Sequence, residues 1–114
     1  MIAVARAFAA EGAKVFLAGR TLARLNVVAA EIAASGGVTE TAQVDALDEE
    51  SVERHVASVI QEAGDIDILF DAIGMEDVQG TLLVDMPLDD FMRPIITAAR
   101  TQFLTARAVA RRMA

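Results

Sequence analysis

Apolar positions along this chain change rhythm repeatedly, from helical spacing to short continuous runs and back. Residues 2–10 are helix formers almost throughout, with Arg6 on a polar side and Gly12 as a stop. Lys14 to Ala18 follows as an apolar run ending at Gly19, which predicts a buried strand. Thr21 can cap the next helix through its hydroxyl, and Leu22, Leu25, Val28, Ala29 and Ile32 recur on one helical face. Ser35, Gly36 and Gly37 end that helix, and Thr39 to Asp45 reads as a second strand. Asp48 then caps a third helix with Glu49, Glu50 and Glu53 in its first turns, near the positive helix end. Leu47 and Val52 stand at staple positions around that cap. The buried stripe is Val52, Val56, Val59 and Ile60, and Gly64 closes the helix.

Ile66 to Phe70 predicts a third strand, running into Asp71, Ala72, Ile73 and Gly74. Residues 75–87 form a loop long enough to suggest a functional or partner-facing segment. Pro87, Asp89 and Asp90 open a last helix through Arg112, and Pro94 predicts a bend in its first two turns. Strand and helix therefore alternate, which predicts an α/β domain: parallel strands covered by helices on both faces, with right-handed crossovers. The chain opens inside a helix, with no strand ahead of it. No repeat, low-complexity tract or linker divides the 114 residues, so one domain is expected.

Composition narrows the chemistry. Hydrophobic residues make up 54% of the chain and charged ones 24%, which is a globular balance. All five aromatic residues are Phe, so the core must come from Ala, Val, Ile and Leu. A net charge of −7 argues against nucleic acid, which needs a basic face. The absence of Cys excludes disulfides, thiolate chemistry and Cys-based zinc sites. No secretory leader is recognisable and no apolar run approaches about 18 residues, so a soluble, cytoplasmic protein is the expectation.

Several segments together carry a family likeness: Ala7 to Val15, Gly19-Arg20-Thr21, Asp45 to Asp48, Asp65 to Gly74, and Phe103 to Val109. In order and spacing they resemble the short-chain dehydrogenases/reductases, Rossmann-type oxidoreductases that depend on NAD(P). The likeness implies a partial NAD(P)-binding Rossmann domain over 1–114: a three-layer sandwich fragment of three parallel strands. It implies hydride transfer between a nicotinamide cofactor and a carbonyl or alcohol substrate. In that family a glycine-rich turn precedes a helix like residues 2–10, and a catalytic Ser and Tyr-x-x-x-Lys follow the last helix; this chain holds none of them. It has no Tyr, and Lys14 is its sole Lys. The family's Asn-Asn-Ala-Gly becomes Asp71-Ala72-Ile73-Gly74, and the helix Asn of its proton relay aligns with Ala98.

By this resemblance the cofactor-binding residues are Gly19, Arg20, Asp45, Ala46, Ala72 and Gly74. Gly19 stands where many members carry an acid that holds the adenosine ribose diol. Without that charge, Arg20 can pair with a 2′-phosphate, favouring NADP over NAD; alternatively it is a solvated strand-end residue. Asp45 would meet the adenine amino group with Ala46 beside the ring, or simply end a strand near the Asp48 cap. Gly74 permits close approach of a ribose, or an ordinary turn. Asp71 has no role assigned, since an anion near a pyrophosphate is repelled. His55 reads as an exposed helix residue. Asp85, Asp89 and Asp90 read as acids near a helix start and not as metal ligands, and Arg107, Arg111 and Arg112 complement a helix end.

In the family, a first strand lies between those matching Lys14–Ala18 and Ile66–Phe70. Here the two runs are expected to pair directly, because unpaired buried amides cost about 1–3 kcal/mol each. The alternatives are a strand donated by a neighbouring chain, or a chain that stays loosely packed and aggregates. A non-catalytic interaction module is the rival to the oxidoreductase reading. It would assemble a homo-oligomer through the helix 89–113 by exposing Ile95, Ile96, Phe103, Leu104 and Val109. A phospho-receiver domain fits length and acidity but lacks the paired acids and late Lys.

Overall fold

The computed structural model describes residues 2–74 and 77–113. Among these residues four helices and two strands occur, in the order α1 (Ile2–Ala10), β1 (Lys14–Gly19), α2 (Leu22–Ala34), β2 (Val38–Gln43), α3 (Glu49–Ala63) and α4 (Leu88–Met113). A single 3₁₀ turn at Leu83–Asp85 interrupts the approach to α4. Of the predicted 75–87 loop, Met75 and Glu76 lie outside the described residues.

β1 and β2 pair in parallel, with Lys14 opposite Val38 and Gly19 opposite Gln43. The α2 crossover makes this possible, since parallel strands need a long connection. Successive strand residues point to opposite faces, and the two faces serve two separate cores. Val15 and Leu17 pack against Ala5 and Ala9 of α1 and Leu25, Val28 and Ile32 of α2. Ala18 and Ala42 pack on the other side, where Val44, Val52, Val56, Leu104, Ala108 and Val109 are buried between α3 and α4. Each fully buried Val or Leu side chain contributes about 1.5–3 kcal/mol, so these thin clusters carry most of the fold.

The helix ends follow local chemistry, with one exception. Asp48 takes the N-cap of α3 and its carboxylate accepts the Glu50 N–H. Gly64 ends that helix in the left-handed region at φ 81°, its N–H returning to the Ile60 carbonyl. At the end of α2, Gly37 N–H bonds the Ile32 carbonyl and Gly36 N–H that of Ala33, a Schellman closure. Thr21 does stand at the N-cap of α2 with extended backbone, but its hydroxyl makes no capping bond. The expected hydroxyl cap is therefore not made.

The third strand is not formed. Residues 66–70 run outside any helix or strand, and the sheet has two strands, not three. Ile68 is 62% exposed and Phe70 55% exposed, with Leu69 also open. Direct pairing with β1 fails for a visible reason: both ends of the segment are committed elsewhere. Ile66 packs against the α3/α4 core, and Asp71 accepts a hydrogen bond at 2.9 Å from the Thr105 hydroxyl on α4. Moving the segment onto β1 would sacrifice these contacts and the spacing set by helices on both faces.

α4 runs unbroken through Pro94. Its inner stripe includes threonines: Thr101, only 1% exposed, donates to the Thr97 carbonyl at 2.7 Å, and the single Thr105 hydroxyl proton is shared between the Thr101 carbonyl at 2.8 Å and the Asp71 carboxylate at 2.9 Å. Back-bonding of this kind satisfies a buried hydroxyl within its own helix. Leu104 and Val109, expected to be exposed, are instead buried in the α3/α4 core. Ile95, Ile96 and Phe103 are open as expected, joined by Leu88 and Phe91. The terminal arginines do more than complement a dipole: Arg107 pairs with Glu49 and Arg111 with Glu53 at 3.4 Å, strapping α4 to α3. Asp89 and Asp90 sit in the first turn of α4, as capping acids should.

Candidate functional site

Parallel pairing brings the C-terminal ends of β1 and β2 to one edge, and four candidate residues gather there. Gly19 is the last residue of β1; its carbonyl accepts the Val44 N–H at 2.8 Å. Arg20 follows, its carbonyl accepting the Gln43 side-chain amide at 3.1 Å. Two bonds thus lock the β1 exit to the β2 exit. Asp45 and Ala46 come next on the neighbouring strand's extension, with Asp45 exposed and Ala46 half-buried.

Space at Gly19 is informative. A Cβ built there would sit 3.6 Å from the nearest atom, a methyl of Leu25, which is ordinary contact, and the backbone is not left-handed. Sterics therefore do not require glycine at this position. What glycine leaves here is the absence of a side chain, and so of a carboxylate, beside Arg20.

Asp45 is partly occupied by its own backbone. One carboxylate oxygen accepts the Leu47 N–H at 3.0 Å, its carbonyl accepts the Asp48 N–H, and its amide donates to the Ser51 hydroxyl at 3.1 Å. It fixes the turn leading to α3, whatever else it meets. Arg100 of α4 braces the same turn, donating to the Leu47 carbonyl at 2.7 Å.

Ala72 and Gly74 lie on the separate 66–74 stretch and are exposed; no hydrogen bond among the described residues links them to the β1–β2 edge. Asp71, left without a role by the sequence, organises this stretch. One carboxylate oxygen accepts Thr105, the other the Ile73 N–H at 3.2 Å, forming a local Asx turn. Gln43, Ser51, Arg100 and Thr105 were not foreseen. Only Thr105 left a trace in the sequence, as the third member of the Thr97, Thr101, Thr105 spacing.

The larger hollow, about 480 Å³, is lined by Ile2, Ala3, Arg24, Leu25 and Val28 and is almost wholly apolar. A smaller one of about 50 Å³ lies between the sheet and α3, lined in part by Phe16, Glu40, His55 and Glu62. Neither contains a candidate residue. His55 proves half-buried and not exposed, and that burial lowers its pKa below the ordinary imidazole value. The pKa of Glu62 is raised from its ordinary value by a hydrogen bond with Glu40, with desolvation and the Glu40 charge adding and Lys14 opposing. Among the described residues, no cluster of three His, Cys, Asp or Glu is placed to hold a metal. No helix among them is long and apolar enough to cross a membrane.

Comparison with known proteins gives this geometry a context. The sequence profile of the family described as enoyl-(acyl carrier protein) reductase matches residues 2–114. The L-rhamnose 1-dehydrogenase (NAD(P)(+)) of Azotobacter vinelandii is 33% identical over 97% of this chain and 44% of its own length. A short-chain type dehydrogenase/reductase from Mycobacterium marinum is 38% identical with a TM-score of 0.89, over 98% of this chain and 44% of that one. A metagenomic short-chain oxidoreductase solved in complex with NADP is 28% identical with a TM-score of 0.86, over 98% of this chain and 50% of that one. The chain thus spans about half the length of each of these three relatives.

Proposed function

Because the chain belongs to the short-chain dehydrogenase/reductase family, we propose that it forms the adenosine side of an NADP(H) site, built from Gly19, Arg20, Asp45, Ala46, Ala72 and Gly74. The observation that carries this reading is the β1 exit: Arg20 follows a glycine whose side-chain space is open but unfilled, at the edge where β1 and β2 end together. Ligands of open α/β sheets gather at that edge. A carboxylate at position 19 would repel a 2′-phosphate, and a guanidinium at position 20 can bind it bidentately. NAD is the weaker ligand on this reading.

The cofactor would supply or accept the hydride, and the partner substrate would be a carbonyl or alcohol. The residues present fit the adenosine end and not the reactive end. Lacking any Tyr, and with its one Lys on β1, the chain has no counterpart of the family's acid. By itself it therefore binds cofactor weakly and does not turn it over. The reading takes the setting to be cytoplasmic.

Titration with 2′,5′-ADP, followed residue by residue by NMR, tests the site. Amides of Arg20, Asp45 and Ala46 should shift, and 5′-AMP should shift them less. Equal responses to the two nucleotides would remove the case for a 2′-phosphate site, and oxidation of NADPH by the pure chain would refute the claim of inactivity.

A second reading rests on α4. Leu88, Phe91, Ile95, Ile96 and Phe103 are all exposed on it, an apolar surface suited to a homo-oligomer. Sedimentation distinguishes the readings: a discrete oligomer with no response to 2′,5′-ADP favours an interaction module, and a monomer counts against it.

A further inference from the structure

The side chains of β2 divide by parity, and the odd-numbered row is polar throughout. Thr39, Thr41 and Gln43 share the face of the sheet turned toward α2, because alternate strand residues point the same way and Ala42 packs on the other side. Each makes a hydrogen bond that leaves its own strand. The Thr39 hydroxyl donates to the Val15 carbonyl at 2.9 Å, the Thr41 hydroxyl to Asn26 Oδ1 of α2 at 2.8 Å, and the Gln43 amide to the Arg20 carbonyl at 3.1 Å. The last two bonds bracket one segment, with Arg20 at its start and Asn26 in the second turn of α2. Inside that segment Thr21 occupies the N-cap without a side-chain capping bond. The side-chain restraint on the turn therefore comes from β2 and not from its own cap. Gly19 is the register partner of Gln43, so the Gln43 amide meets no side chain from the residue opposite and is left to the Arg20 carbonyl.

We propose that Gln43 is a positioning residue for nucleotide selectivity: it fixes where the chain turns at Arg20, and so where the guanidinium meets a 2′-phosphate. The inference rests on the NADP(H) reading above and adds to it the residue that makes the Arg20 turn selective. A guanidinium binds phosphate bidentately only within a narrow range of approach, so anchoring its backbone beforehand favours that geometry. The adenosine that the two nucleotides share gains nothing from this anchor. Gln43 thus acts on the difference between 2′,5′-ADP and 5′-AMP, and not on affinity for both. It is exposed, so its replacement costs the fold little and the effect stays at the turn.

The test compares three forms of the 114-residue chain. They are the parent, Gln43→Met, which keeps side-chain length and removes the donor, and Thr39→Val, which removes the bond of the same row that lies on Val15. NMR titration gives dissociation constants for 2′,5′-ADP and 5′-AMP, and relaxation of the Thr21 and Leu22 amides without nucleotide reports the order of the turn. The parent should prefer 2′,5′-ADP, and Thr39→Val should keep that preference. Gln43→Met should lower the preference about threefold to tenfold, the worth of one neutral hydrogen bond, while 5′-AMP affinity holds and the two amides loosen. Slow exchange of the Leu17 amide checks that β1 and β2 stay paired; if Gln43→Met disturbs it, Gln43→Asn, too short to reach the carbonyl, takes its place. A parent that binds both nucleotides alike would sink the NADP(H) reading and this inference with it. A selective parent with an equally selective Gln43→Met, or with both affinities falling in step, would overturn the role of Gln43 alone. So would an equal loss of preference in Thr39→Val, which would assign the effect to the whole sheet.

Discussion

Replacing Gly37 by Ala puts a methyl group where three elements converge. A Cβ at this position would lie 2.6 Å from Ile32 Cγ2, and 3.2 Å from both Ala9 Cβ and the Ile32 carbonyl oxygen. Carbon atoms are comfortable at about 3.5–4.0 Å, so the first contact is about 1 Å too close. The neighbours have little freedom to yield. Ile32 and Ala9 are both buried in the α1/α2 core, and the Ile32 carbonyl is held by the Gly37 N–H at 2.9 Å. Overpacking of this kind costs about 1–3 kcal/mol. The loss of unfolded-state freedom on replacing Gly returns about 0.4–1 kcal/mol. The net destabilisation is then about 1–2 kcal/mol, read as a lower urea midpoint by circular dichroism. Ile32→Leu removes the offending Cγ2, so in the double variant the Gly37→Ala penalty should shrink by about 0.5 kcal/mol or more. Gly37→Ala as stable as the parent, or penalties that simply add, would refute the packing argument.

Other consequences are equally direct. His55 has a lowered pKa from burial, so its neutral form favours folding: stability is full above about pH 6.5 and falls as pH drops through the depressed folded value. His55→Gln should flatten that limb of a stability–pH curve, and an unchanged curve would show that His55 is not its source. Glu62 has the opposite sign. Its raised pKa makes the protonated form the better one in the fold, so its benefit is present at low pH and fades as pH rises through the folded value. Glu62→Gln should remove that fade, which urea midpoints at several pH values would detect. Thr105→Val should release the 71–74 turn, raising the exchange rate of the Ile73 amide by several-fold while leaving β1 protection intact; equal loss in both would mean that Thr105 is a core residue only.

Local signals were legible where they depended on one residue and its immediate neighbours. The Asp48 cap, the Gly64 terminus and the Gly36–Gly37 closure all hold as the residue types imply. The run 66–70 was not legible as an unpaired stretch, because apolar content speaks for burial without saying whether a partner stands beside it. Its fate was decided by Ile66 and Asp71 being held on the α3/α4 side, a tertiary choice. Leu104 and Val109 were misjudged for the same reason: spacing places them on a face, and only the α3 packing says that the face is covered. At the candidate site, the positions of Gly19, Arg20, Asp45 and Ala46 at one sheet edge follow from parallel alternation. The bracing by Gln43, Ser51 and Arg100 does not, since each is an ordinary polar residue until the chain folds.

The sheet is a partition between two rooms with no shared interior. Six buried side chains hold one side together and six the other, and only the two-stranded ribbon belongs to both. Damage on one side need not be felt across the wall, so the molecule has two separate ways to come apart. Heating should accordingly give a broad or stepped transition, in which α3 and α4 can lose their shape while α1 and α2 keep theirs.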